Sequence, residues 1–401
     1  MRRVAVTGLG PVSNVGTGAA AFGAAVRAGR SGVSPITSFD ASGFPHRNAG
    51  EVRDFAPQEM VERLDTAEWG RSSLFAAAAA RLAVADAGLD PDELSRAEAG
   101  SVMGTTSGES QIIERLTEEE VAGGWESLSP HLPRQVPASR LAYAVNRELG
   151  LTGEAMTLAT ACSAGNYAIG YAYDLVRTGA ADYMLAGGAD SVLRWAHAGF
   201  FRLGAVAEDV SSPFDRDRSG IITAEGGAAL VLESLEGALA RGARVYGEVL
   251  GYGLNCDADH MVSPDPVGIA ECMRRAHANA GIEPGDVDYI CAHGTGTPAN
   301  DLAEATAVLD VFGDAPPPIS SVKSMLGHTM GASSAFGAIA SLIGMREGFL
   351  PPTTNFSHHD PALGGIDPVP NEARPADVRI VQNNGFAFGG NNAITVFGRV
   401  S

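Results

Sequence analysis

The chain has 401 residues, of which 45% are hydrophobic and 6% aromatic, and it carries a formal net charge of −19. That length allows a large core and two or three domains, while the charge argues against nucleic acid as a partner, because phosphate binding needs a concentrated positive surface. No apolar run is long enough to cross a bilayer; Met1-Arg2-Arg3 opens a strand rather than a leader, so no membrane partner and a cytoplasmic location are expected.

In chain order, residues 4–10 read as a strand with a glycine turn, 17–28 as a helix of small residues, and 30–56 as an irregular surface segment. A long helix is predicted from Arg71 to Ala87, where an alanine run indicates tight packing and Gly88 ends the helix. A strand follows at 99–104, then a polar excursion to about 137. Strands are expected at 181–190 and 224–233, separated by a loop at 212–220. The pattern then restarts near 242–249 with a strand, a helix at about 267–281, a strand into His293, a helix from Asp301, a strand into Lys323 and a helix at 331–346. Strands alternating with helices imply an α/β fold whose mixed or parallel sheet is covered by helices.

Three junctions in this pattern carry chemistry. Thr157-Leu158-Ala159-Thr160 suits a strand, and Ala168 to Val176 suits a buried helix, so Cys162 falls at the turn between them. A thiol there gains from the positive end of the helix dipole, which favours thiolate and makes Cys162 a candidate nucleophile. His293 follows an apolar strand and precedes Gly294-Thr295-Gly296-Thr297-Pro298, which continues neither strand nor helix. Lys323 and His328, five residues apart, precede a helix of small and apolar residues. A lone histidine is more often a structural hydrogen-bonder; Cys, His, His and Lys at such junctions make coincidence much less plausible. The other cysteines, Cys256, Cys272 and Cys291, form no disulfide framework or CxxC pair, so reduced thiols are expected. Cys256 with His260, and Cys291 with His293, match no common zinc spacing, so no metal is expected.

Four motifs follow in order, Thr160-Ala161-Cys162-Ser163-Ala164, His293-Gly294-Thr295-Gly296-Thr297-Pro298, Lys323-Ser324-Met325-Leu326-Gly327-His328 and Asn384-Gly385-Phe386-Ala387-Phe388-Gly389-Gly390-Asn391-Asn392, and the likeness they carry extends over essentially the whole chain, from Val4-Ala5-Val6-Thr7-Gly8-Leu9-Gly10 to the Gly-rich end. Together they resemble the elongating β-ketoacyl-[acyl carrier protein] synthases, the ketosynthases of fatty-acid and type II polyketide pathways. The resemblance implies a thiolase-like fold of duplicated α/β domains in five layers, α-β-α-β-α, with one half at 1–245 carrying the cysteine and the other at 246–401 carrying His, Lys, His and a Gly-rich gate.

The same resemblance implies a decarboxylative condensation. Cys162 would hold the acyl chain as a thioester, with the backbone N–H groups of Cys162 and Phe388 as oxyanion hole. His293 and His328 would donate hydrogen bonds to the malonyl thioester oxygen, and Lys323 would fix the geometry and charge of the site. Thr295 and Thr297 would bind the phosphopantetheine arm; Phe388, with Phe386 nearby, would gate the acyl pocket. No cofactor is implied beyond the phosphopantetheine of the acyl carrier protein, and the expected partners are that carrier and either a second copy or a chain-length-factor subunit. Carriers are usually acidic, so a docking patch on this acidic chain must be local; Arg194, Arg202, Arg216 and Arg218 are candidates.

Two departures favour a specialised type II polyketide or polyene ketosynthase over housekeeping fatty-acid elongation. Gly337 stands where many fatty-acid members carry a glutamate fourteen residues after the lysine, which removes an acidic partner for Lys323. Gly104-Thr105-Thr106-Ser107-Gly108-Glu109 replaces their usual Gly-rich run. A degradative thiolase would need a late Cys-Gly-Gly motif where this chain has Phe388-Gly389-Gly390, and a non-catalytic chain-length factor would usually lack the nucleophile retained here.

Overall fold

A computed structural model describes residues 1–400. Ten strands form one hydrogen-bonded path. In chain order they are β1 (Val4–Ser13), β2 (Ala99–Gly104), β3 (Ala155–Leu158), β4 (Tyr183–Asp190), β5 (Gly226–Ser234), β6 (Gly247–Cys256), β7 (Tyr289–Cys291), β8 (Ile319–Ser320), β9 (Ile380–Phe386) and β10 (Asn391–Gly398). The longer helices are α1 (Ala19–Arg27), α2 (Arg71–Asp86), α3 (Ser110–Gly123), α4 (Arg140–Leu149), α5 (Ala164–Thr178), α6 (Arg194–Arg202), α7 (Pro266–Ala280), α8 (Pro298–Phe312) and α9 (Ser333–Glu347).

The path runs β8-β7-β9-β10-β6-β1-β5-β4-β2-β3. Read outward from its middle, each half has its own first, fifth, fourth, second and third strand in that order. The senses repeat too: β2 is parallel to β3 and β4, as β7 is to β8 and β9. The remaining neighbours in each half are antiparallel. Antiparallel pairing of β1 with β6, Val4 opposite Val249, joins the halves. The duplication that no residue-level repeat displays is therefore explicit in the topology, with the changeover between Ser234 and Gly247.

Three apolar clusters define the layers. The largest lies between the half-sheets around the central helices, with Ile169 of α5 and Ile339 of α9 packed among Leu9, Leu230, Val381 and Phe397. A second packs α2 and α4 on the outer face of the first half-sheet, and a third packs α7 and α8 on the outer face of the second. The alanine run of α2 is fully buried, and the reason is close approach to β1: a Cβ on Gly10 would fall 1.9 Å from the Ala79 carbonyl oxygen.

The predicted elements occur with shifted ends. The strand expected at 242–249 begins at Gly247, and the helix expected from 331 begins at Ser333 after a 3-10 turn, Met330–Ala332. The polar excursion contains α3, and the structure adds α4, α6 and the final hairpin β9–β10 to the elements expected. No helix among the described residues is long and apolar enough to cross a membrane.

Candidate active site

β3 ends at Leu158, and the chain turns through a 3-10 segment, Ala161–Ser163, into α5. Ala161 adopts φ 50°, a left-handed conformation that costs an alanine about 1–2 kcal/mol. The sharp turn aims Cys162 into a cavity of about 400 Å³ that His293, His328, Thr295, Thr297 and Phe388 also line. The structure thus brings together residues up to 226 positions apart in the sequence.

His293 lies two residues past β7, on the loop expected for it, and that loop becomes α8 at Pro298. Thr297 caps the helix by accepting from the Asn300 N–H, and its hydroxyl lies 2.9 Å from that of Thr295. His328 follows the short helix bearing Lys323, and its ring meets that of His293 edge to face at 5.6 Å. Phe386 also packs edge to face against His293, at 5.6 Å. Phe388 is more than a third exposed at the cavity mouth, against Phe200, and Gly389 and Gly390, at φ 85° and 73°, form the tight turn behind it.

The hydrogen bonds fix both imidazole tautomers. The Met330 N–H donates to Nδ1 of His328 at 3.0 Å, which leaves the proton of a neutral ring on Nε2. Lys323 Nζ donates to the His293 carbonyl oxygen at 2.5 Å and lies 3.5 Å from Nδ1 of His293, a placement that favours the proton of a neutral ring on Nε2. Burial, reinforced by the Lys323 charge, holds both histidines well below the ordinary imidazole range. They are neutral donors at physiological pH.

The thiol departs from the sequence expectation. Burial pushes Cys162 up to about 12, while the Lys323 charge and the N–H groups of Cys162 and Phe388 act in the opposite direction. Burial outweighs the helix terminus, and the resting group is a thiol. The N–H groups of Cys162 and Phe388 thus favour the thiolate without overcoming burial.

Lys323 is buried and is the only lysine in the chain. Burial lowers its affinity for a proton, opposed by surrounding groups that include Glu304. A Cβ on Gly337 would fall 2.5 Å from Asn383 Oδ1 and 3.1 Å from Cys291 Sγ, so an amide and a thiol fill the space where a glutamate would reach. Arg218, considered for docking, is buried against Asp301 and Asp360 instead; Arg216 pairs with Asp217, and Arg194 and Arg202 remain exposed.

Sequence reasoning missed two buried carboxylates. Glu304 accepts from the N–H groups of His293 and Gly294 at 2.8 and 2.7 Å and from Asn384. Asp301 accepts from those of Thr295, Gly296 and Phe214. The available signal was their spacing of three, which puts both on one face of α8 directly after the His-Gly-Thr-Gly-Thr-Pro motif.

Residues 1–238 match the family described as Beta-ketoacyl synthase, N-terminal domain, and residues 246–357 match Beta-ketoacyl synthase, C-terminal domain. The 3-oxoacyl-[acyl-carrier-protein] synthase 2 of Coxiella burnetii is 38% identical over 410 residues, covering 100% of this chain and 99% of that one. Nodulation protein E of a Rhizobium species is 38% identical over the whole of both chains. Among solved structures, the ishigamide ketosynthase/chain length factor is 52% identical with a TM-score of 0.98, covering all of both chains. A ketosynthase complex described as a type II PKS acyl-carrier protein with its ketosynthase bound to the hexaketide is 30% identical with a TM-score of 0.91, again over all of both chains.

Proposed function

The chain belongs to the β-ketoacyl synthase family, and from that premise we propose that it elongates acyl chains on acyl carrier protein in a type II polyketide or polyene pathway. The enzyme is an acyltransferase that performs the ketosynthase condensation. The observation carrying the pathway is the 52% identity, over both full chains, to the ishigamide ketosynthase/chain length factor, against 38% to the 3-oxoacyl synthase. Gly337, in place of the glutamate expected of fatty-acid members, agrees with that reading.

In the proposed mechanism Cys162 Sγ attacks the acyl thioester carbonyl, and the N–H groups of Cys162 and Phe388 take up the oxyanion. The carrier thiolate leaves and receives the thiol proton. Malonyl carrier protein then loses carbon dioxide; the electron pair of the broken C–C bond enters the thioester as an enolate, whose oxygen accepts from the Nε2–H groups of His293 and His328. The enolate carbon attacks the Cys162 thioester, the β-ketoacyl carrier protein departs, and the Cys162 thiolate recovers one proton from solvent. Thr295 and Thr297 hold the phosphopantetheine arm, and Phe388 gates entry. No other cofactor takes part. The partner is a chain-length-factor subunit in a heterodimer, by analogy with the ishigamide ketosynthase/chain length factor.

The test is incubation with acyl and malonyl carrier proteins while protein and products are weighed. A mass gain on Cys162 and release of carbon dioxide are expected. Cys162→Ala should lose acylation and keep decarboxylation; full condensation by that variant would overturn the nucleophile assignment. Polyunsaturated or poly-β-keto products support the pathway, and saturated products alone, from a fully active homodimer, would count against it and against the heterodimer.

A further inference from the structure

The turn that carries the nucleophile has a twin. Ala161–Ser163 and Met330–Ala332 are both three-residue 3-10 turns, each opens on a residue with φ 50°, and each runs into a helix of 15 residues. Gly331 therefore occupies in the second half the place that Cys162 occupies in the first. A helix start leaves N–H groups without intrahelical partners, and these attract negative charge. At α5 the corresponding residue is Cys162, which lines the cavity and whose N–H favours the thiolate. At α9 the equivalent group is taken, because the Gly331 N–H donates to Oδ2 of Asp190 at 2.7 Å.

Asp190 ends β4 in the first half and is fully buried. Its other partners are the Thr106 N–H at 2.7 Å, the Ser107 N–H at 3.0 Å and the Thr105 hydroxyl at 2.8 Å. One carboxylate thus binds a turn of the first half to a turn of the second. The two backbones are in contact: a Cβ on Gly331 would fall 2.5 Å from Thr105 Cα. Burying a carboxylate is costly unless its acceptor sites are used, and apolar packing would hold two turns together at lower cost. What a carboxylate adds is direction, since it fixes where the N–H of Gly331 points. The preceding residue is Met330, in its left-handed conformation, and the Met330 N–H donates to Nδ1 of His328, from which the Ser333 hydroxyl also lies 3.1 Å.

We propose that Asp190 is a positioning residue for His328: by holding the Met330–Ala332 turn across the seam, its carboxylate keeps the Met330 N–H on Nδ1 and the imidazole proton on Nε2, facing substrate. The proposal rests on the reading of His328 as a donor to the enolate oxygen.

The test separates the two half-reactions in Asp190→Asn, using the purified enzyme with its partner subunit where one co-purifies. Decarboxylation of malonyl carrier protein should fall about tenfold to a hundredfold in kcat, while acylation of Cys162 stays within about twofold. Labelling with ¹⁵N-histidine should show the His328 signal changing from one tautomer to a mixture. The Asp190→Asn/His328→Ala double variant should be no slower than His328→Ala alone. Parallel loss of both half-reactions, or an unchanged His328 signal, would overturn the proposal. If His328→Ala itself decarboxylates normally, the reading of His328 has failed and the proposal with it; if only Asp190→Asn is normal, the proposal alone has failed. Should Asp190→Asn not fold, Thr105→Val removes one donor and leaves the carboxylate, and the same selective, smaller loss is expected.

Discussion

A thiol that burial lifts to about 12 is stored in its unreactive form, and in the proposed mechanism reactivity comes from the transition state, where the two N–H groups would meet an oxyanion. Alkylation of Cys162 by iodoacetamide should therefore climb about tenfold per pH unit between about 6 and 9. A plateau in that range, read from the mass of the Cys162 peptide, would show a thiolate already present. The histidines carry the opposite requirement. A base held below its ordinary range stays neutral as pH falls through that range, so decarboxylation by the native enzyme should show no acid limb down to about pH 6. In Lys323→Ala the positive charge that helps hold both rings down is gone, their affinity for protons rises, and an acid limb should move up into the measured window. Rate profiles of the two proteins decide this, and coincident profiles would mean that burial alone keeps the rings neutral. As the single lysine, Lys323 can also be followed by one ¹³C signal, whose midpoint should lie below 10.5.

The elements that carry these groups were legible where a strand broke at Gly, Pro or a cluster of small residues. They were not where polar side chains are buried. β9 lacks a strand-like pattern because it holds Gln382, Asn383, Asn384 and Gly385, yet each amide has a partner inside: Gln382 with His277, Asn383 with Asn166, Asn384 with Glu304. α3 gives little apolar signal because its sequence is rich in charged residues and only Ile112 is buried. The cysteine junction shows what close packing demands of an element. A Cβ on Gly104, the last residue of β2, would fall 2.4 Å from the Ala164 carbonyl carbon and 2.7 Å from the Gly165 nitrogen. Gly104→Ala must therefore push the nucleophile's turn, costing about 1–3 kcal/mol and most of the Cys162 acylation. Gly199→Ala on α6, where a Cβ meets nothing within 4 Å, should instead be neutral or stabilising by up to about 1 kcal/mol. Denaturant unfolding and the rate of acyl transfer check the pair, and equal effects would refute the packing argument.

Across the whole molecule the halves repeat a strand order and a turn without repeating a sequence. The duplication became visible only once pairings were known, because packing constrains residue size at each position and leaves identity free. The four ordered motifs were readable for the converse reason: the chemistry proposed for them fixes identity. Charge is the property of the whole molecule that bears on partners. At −19 the chain repels an acidic carrier over distances that depend on salt, since screening extends to about 30 Å at 0.01 M and about 8 Å at 0.15 M. Arg194 and Arg202 are exposed, whereas Arg218 is spent on internal ion pairs. For this chain alone, kcat/KM toward acyl carrier protein should then rise about two- to fivefold as salt goes from about 20 to 150 mM. With a partner subunit that presents a basic docking face, the dependence should reverse. A rate that falls with salt in the isolated chain would place docking on the local arginines, and Arg194→Glu with Arg202→Glu should then abolish the fall.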